Sequence, residues 1–381
     1  MDAIRHQPQK TIKKTLREMN IVEKTIEIAR DRGFTTEELL SHDVAPSPTL
    51  FNDDGSMTKP DKSQLVKELE MWLKPEDYKY EHQQNSSFII DVMSTVRKIR
   101  TAGLSKFQDL LLAFMAFSNV FHQFGRCDYV FDMYSDDPSV KDSERMRRAE
   151  RVPIELSFIE PDTPLPKEME TFWPSNMNKL HLEKLAYSHL CLNTPTTHQY
   201  PTIVGQLGDW PCIMVHQGQE NVLPQLQTAF QSTFLEADLR IPAHIVKALD
   251  ADHKVCVVLC NDTDVIVALL YQIPVFLQHG LSELWVRAGV GDTTRYIPLH
   301  TLFQCLGHQL CGILPAVHSL TGCDVTSRVG TKKAALKAEP EKFLKYFGSS
   351  PALTASAIQK AEHYLVKVLK RGSDATNFVD L

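Results

Sequence analysis

The stretch Lys254-Val-Cys-Val-Val-Leu-Cys260 carries six apolar residues in a row and runs straight into Asn261-Asp-Thr-Asp264. An apolar run of this length, bounded by turn-forming residues, reads as a strand buried on both faces. Two earlier stretches repeat the pattern of an apolar run ending on an acid: Ser87-Phe-Ile-Ile-Asp91 and Asp128-Tyr-Val-Phe-Asp132. Helical periodicity fills the intervals, through Phe107 to Phe124 and again from Thr233 to Leu249. Strands alternating with helices imply βαβ units and a mostly parallel sheet, hence an α/β protein. The functional crevice of such a sheet lies outside the carboxyl ends of its strands. Strand after strand delivering an Asp to that edge is the main signal in this sequence.

Working outward, residues 1–84 are polar and helical in pattern. Thr11 to Arg32 carries Ile12, Leu16, Met19, Ile26 and Ile28, and Asp61 to Leu73 suggests a second amphipathic helix. This part is expected to be a helical N-terminal appendage without chemistry, suited to packing or to a protein partner. The α/β core is expected over 85–349, with 151–222 partly an irregular insertion that is Pro-rich over 151–180. Leu314 to Lys337 reads as helix, glycine-containing turn, helix. Residues 350–381 carry a C-terminal helix from Ala352 to Arg371.

With 381 residues, 43% of them hydrophobic and 23% charged, the chain is expected to fold rather than stay disordered. Its nearest approach to a membrane span, Leu110 to Phe117, stops at eight residues. The N-terminus has no secretory pattern. The eight cysteines make no C-x-x-C pair, which reads as a reduced, intracellular set. The fifteen histidines form neither H-x-x-x-H nor H-E-x-x-H, so metalloprotease chemistry is unsupported. His244 and His318 read as packing residues on helix faces.

Seven acids then stand out: Asp91, Asp132, Glu236, Asp238, Asp262, Asp264 and Asp324. Any one of them could be a helix N-cap. Gathered at one sheet edge they would repel each other and be harder to ionise unless divalent cations neutralise them. Carboxylate oxygens select Mg²⁺ or Mn²⁺ over zinc. Two such ions about 4 Å apart can activate a water and stabilise a leaving oxygen in phosphodiester hydrolysis. The net charge of −6 argues against a nucleic-acid binder, yet setting those seven acids aside leaves the remainder at about +1. Lys141, Arg145, Arg147, Arg148 and Arg151 form a basic cluster after Asp132, readable as a solvated helix face or as a phosphate clamp. Gly330 would let backbone approach a phosphate, with Lys332 and Lys333 adding charge.

In this order the motifs resemble the flap-endonuclease-like (XPG-type) branch of the PIN-like nucleases. Phe88-Ile-Ile-Asp91 is similar to the family's first strand. Val130-Phe-Asp132, followed by Lys141, Glu144 and Arg148, is similar to its second motif. Glu236-Ala-Asp238, Asp262-Thr-Asp264 and Thr321-Gly-Cys-Asp324 are similar to the remaining acidic motifs, and Val329-Gly-Thr-Lys-Lys-Ala334 to the helix–two-turn–helix. The chain also resembles uncharacterised, transposon-associated animal proteins with Glu-Ala-Asp, Asp-Thr-Asp-Val and Thr-Gly-Cys-Asp. The family's pattern is altered at Met133 (Gly there), Asp238 (Glu there) and Val329 (Gly there), and the Asp132–Lys141 interval is two residues longer.

The resemblance implies a PIN-like three-layer α/β/α core and a nuclease with two Mg²⁺ or Mn²⁺ ions held by the seven acids. Asp132, Glu236 and Asp262 would be catalytic among them. Lys141 and Arg148 would act on the scissile phosphate, beside Arg145 and Arg147. Gly330, Thr331, Lys332 and Lys333 would hold duplex backbone with a K⁺ ion. Branched or junction DNA is the implied partner, RNA the alternative, with no membrane and a nuclear location. Two rivals remain: a silent PIN-like scaffold, and a haloacid-dehalogenase-type phosphotransferase, whose opening motif Val257-Val-Leu-Cys-Asn-Asp-Thr-Asp-Val265 resembles.

Overall fold

The computed structural model describes residues 57–133, 154–194, 199–215, 225–234, 236–348, 350 and 352–381, with Arg30, Gly33, Thr35, Glu38 and Leu50 besides. Eight strands lie among them: β1 (Ser86–Asp91), β2 (Gly125–Val130), β3 (Thr202–Val204), β4 (Ile213–Val215), β5 (Gln225–Leu226), β6 (Val255–Leu259), β7 (Glu283–Ala288) and β8 (Arg295–Pro298). The α-helices are α1 (Ser63–Glu70), α2 (Val92–Val96), α3 (Phe107–His122), α4 (Asn176–Asn193), α5 (Ala237–Asp250), α6 (Thr263–Gln278), α7 (Leu299–Leu320), α8 (Lys332–Lys337), α9 (Pro340–Leu344) and α10 (Ala355–Leu369).

All the strands join one sheet in the order β5-β4-β3-β2-β1-β6-β7-β8. The five from β3 to β7 in that order run parallel, β4 and β8 run opposite to them, and β5 pairs antiparallel with β4. The chain steps outward from β1 through β2 to β3, then returns to lay β6 against the other side of β1. The strand order therefore reverses between β1 and β6, where an open parallel sheet forms its crevice.

Alternation along the strands supplies two cores. Ile89, Cys256, Val258, Leu284 and Val286 pack with α1, α5, α6 and α7 on one face. Phe88, Ile90, Cys127, Tyr129, Val257 and Leu259 pack with α2, α3 and α4 on the other. Burial on both faces is why β6 reads as an unbroken apolar run. Gly125 opens β2 opposite Ser86, and a Cβ there would lie 1.8 Å from the Ser86 carbonyl oxygen. Only glycine allows the two strands to meet so closely.

One core group is polar. Arg126 and Asp128, two apart and thus on one face of β2, form a bidentate pair at 2.6 and 2.8 Å, and the Asp128 carboxylate also takes a 2.7 Å bond from His244 on α5. Burial opposes the Asp128 charge, but the Arg126 guanidinium and His244 outweigh it and hold its pKa below the ordinary range. His244 is thus a hydrogen-bonding partner, where packing alone was expected.

One further expectation needs correction. Ser63–Glu70 is no separate appendage, because Leu65, Val66 and Leu69 sit in the main core. Within 151–222, expected to be partly irregular, lies the eighteen-residue α4, capped by Ser175, whose side chain accepts from Asn178 N–H. Its Leu182, Ala186 and Leu190 complete the second core. The C-terminal helix α10 likewise packs on α7, α8 and α9 through Ala361, Tyr364 and Val368. The helix expected over Thr11 to Arg32 lies outside the described residues apart from Arg30. Among the described residues no helix is long and apolar enough to cross a membrane.

Candidate metal centre

Asp91 ends β1, and Asp262 follows β6 on the neighbouring strand, so the two flank the point of order reversal. Both are helix N-caps: Asp91 accepts from Ser94 N–H at 2.8 Å, and Asp262 accepts from Asp264 N–H at 2.9 Å. Capping and a second role are compatible, since a carboxylate has lone pairs for both. Cys260 links the pair. Its thiol donates to Asp91 Oδ2 at 3.3 Å, and its sulfur accepts from Asp262 N–H at 3.3 Å.

Asp262, Asp264 and Asp324 come together, each offering a carboxylate oxygen within 4.8 Å of the others. Asp324 reaches them from the turn after α7. That turn is tied down by Lys332, whose Nζ donates to Gly322 O at 2.6 Å, Thr321 Oγ1 at 3.0 Å and His318 O at 3.2 Å. His318 in turn places Nε2 2.6 Å from Asp264 Oδ1. Neither residue has the part expected of it. Lys332 is buried at 4% exposure and braces the turn from inside, so it is no surface contact for a phosphate. Burial pushes its ammonium down to about 8. Gly330 takes φ +62°, and a Cβ there would meet Val368 of α10 at 2.7 Å, so α10 covers the side where a phosphate was expected to approach. Thr331 caps α8 with its hydroxyl, accepting from Ala334 N–H. Lys333 is exposed.

A second group forms around Asp132, two residues beyond β2. Its Oδ1 accepts from Ala237 N–H at 2.8 Å at the head of α5, and its own N–H donates to Glu183 Oε1 at 3.1 Å. Arg240 fixes this join by donating to Phe131 O at 2.8 Å and Gln206 O at 2.7 Å. Glu236 is the N-cap residue of α5 and Asp238 lies in its first turn, both half-buried. Glu183, in mid-α4, is fully buried and its Oε2 has no hydrogen-bond partner. Burial first, then the Asp132 charge, push the Glu183 carboxyl well above its ordinary range. The same two causes push Asp91 up to about 7. For this group the expected mutual repulsion is present.

At Asp264 it is reversed. Burial works to raise that carboxyl, but His318 and Lys62 outweigh it and pull it down to about 2. Lys62, in a region expected to hold no chemistry, places Nζ 3.1 Å from Asp262 Oδ1, 3.1 Å from Asp264 Oδ2 and 2.9 Å from Asp324 Oδ2. Burial opposes its charge, but the three carboxylates raise its pKa. Glu183 and Lys62 had no signal in sequence: one is a mid-helix acid, the other a lysine 200 residues from its partner Asp262. The basic cluster of Lys141, Arg145, Arg147, Arg148 and Arg151, with Glu144, lies outside the described residues.

The Glu183 carboxyl carries a testable sign. Its folded pKa is raised, so ionisation opposes folding increasingly as pH climbs above the unfolded value of about 4.3. Glu183→Gln keeps an acceptor for Asp132 N–H and cannot ionise. It is expected to match wild type near pH 4 and to be the more stable of the two at pH 7. Urea melts across that range check it; a constant difference would mean Glu183 ionises normally in the fold.

Carboxylate oxygens at this spacing could hold a metal ion. No family model, no curated protein and no solved structure matches this chain.

Proposed function

We propose that this chain is a divalent-metal-dependent nuclease that hydrolyses phosphodiester bonds of branched or junction DNA, on a PIN-like core. What supports it most is the meeting of Asp262, Asp264 and Asp324 within 4.8 Å, beside Asp91 and at the reversal of strand order. Asp262, Asp264 and Asp324 would hold one Mg²⁺ or Mn²⁺ ion. Asp91, Asp132, Glu236 and Asp238 would serve a second, with Glu183 joined to them by its Oε1 at Asp132 N–H. Bound there, divalent ions supply charge neutralisation for a phosphoryl group and a nucleophile at neutral pH. Cys260 and the Ser94 N–H orient the Asp91 carboxylate, and His318 orients that of Asp264. Lys141 and Arg148 would stabilise charge on the scissile phosphate, Lys333 would touch duplex backbone with K⁺ nearby, and the place of action would be the nucleus.

Two observations favour a second reading, a scaffold that keeps the fold without cutting. Lys62 already pairs with all three carboxylates, and Lys332 is spent on bracing. Cleavage of a fluorescent flap oligonucleotide in Mg²⁺ or Mn²⁺, stopped by chelator, separates the two. Turnover supports the nuclease, and metal-independent binding without turnover supports the scaffold.

A further inference from the structure

We propose that Lys62 is a built-in occupant of the Asp262–Asp264–Asp324 centre, and that a divalent cation loads only by displacing its ammonium. This rests on the metal-centre reading above and adds how that centre is regulated. The Lys62 nitrogen stands 2.9–3.1 Å from one oxygen of each carboxylate, so it holds the position a cation would take. A magnesium ion binds such oxygens at about 2.1 Å, and two cations cannot share one triangle of ligands at these distances.

The backbone holds the lysine in place from both sides. Upstream, Thr58 O accepts from Arg328 N–H at 2.8 Å, and Pro60 lies against Gly322, where a Cβ would come within 2.7 Å of the proline ring. Residues 58–62 thus lie as a strap across the turn that presents Asp324. Downstream, Leu65, Val66 and Leu69 of α1 anchor the strap in the main core. Between these anchors only the lysine stem is free to swing, and its side chain retains 22% exposure toward solvent. Metal loading therefore exchanges one cation for another without unfolding the strap, and it releases the Lys62 ammonium to solvent. The ammonium also keeps the three carboxylates gathered while no ion is bound.

Lysine reactivity in the wild-type chain tests this without a variant. Acetylation by an amine-reactive reagent at pH 7.5, read by mass spectrometry, is expected to rise at least fivefold at Lys62 when Mn²⁺ is added. The exposed Lys67 and Lys74 should stay constant. In parallel, Mn²⁺ titration by calorimetry is expected to give at least tenfold tighter binding for Lys62→Met than for wild type. The gain should be lost in Lys62→Met/Asp324→Asn. If wild type binds Mn²⁺ with sensitivity to Asp324→Asn while Lys62 labelling stays unchanged, displacement is wrong and the metal centre stands. If no Mn²⁺ binding depends on Asp324 in either background, the metal centre fails and the proposal with it.

Discussion

Asp262→Asn is expected to abolish divalent-dependent cleavage while leaving the far-UV circular dichroism spectrum at wild type. Asparagine keeps an oxygen for the Asp264 N–H that Asp262 now accepts at 2.9 Å, so α6 remains capped. It loses the anionic oxygen that stands within 4.8 Å of those of Asp264 and Asp324. Replacing an outer partner of a metal ligand costs about 10–100-fold in affinity or activity, so loss of a ligand should exceed 100-fold. Single-turnover cleavage with Mg²⁺ measures it. Activity within tenfold of wild type would take Asp262 out of the centre.

The largest effect on stability is expected at a residue remote from the chemistry. Asp128→Ala should lower the unfolding free energy by about 3–5 kcal/mol, because it strands the buried Arg126 guanidinium. Against a total of about 5–15 kcal/mol for a domain, that approaches unfolding. Arg126 would keep only its 3.3 Å bond to Lys247 O, and His244 would lose its 2.7 Å partner. His244→Ala, which leaves the bidentate pair intact, should cost less than half as much. Urea denaturation of both variants checks the ranking; equal losses would mean the bidentate pair contributes little beyond the His244 bond.

The sequence made the centre of the sheet legible for a physical reason. Strands β1 and β6 are buried on both faces, so their apolar runs survive without periodicity arguments; β2 is equally buried but carries Arg126 and Asp128 and ends at Val130, two residues short of Asp132. Strand β7 is not legible because Glu283 and Arg287 flank Leu284, Trp285 and Val286 and leave an apolar run of only three residues. Helix α4 was hidden behind a Pro-rich approach, and Glu183 with it. Lys332, a lysine after a glycine turn, reads as solvated from sequence. Its burial depends on three oxygens, from His318, Thr321 and Gly322, that only the folded turn gathers. Lys62 was illegible for a related reason: its three partners lie 200, 202 and 262 residues away. Patterns along a chain report burial and direction; they do not report which distant charge fills a site.

Thermal unfolding in matched ionic strength tests the metal centre most directly. An ion that binds only the folded site adds RT ln(1 + [L]/Kd), about 2.7 kcal/mol at a hundredfold excess over Kd. Mn²⁺ or Mg²⁺ is therefore expected to raise the melting temperature of the wild-type chain by a few degrees over NaCl at equal ionic strength. Asp324→Asn should erase that difference. A wild-type chain that melts at the same temperature in both salts would contradict a divalent centre at Asp262, Asp264 and Asp324.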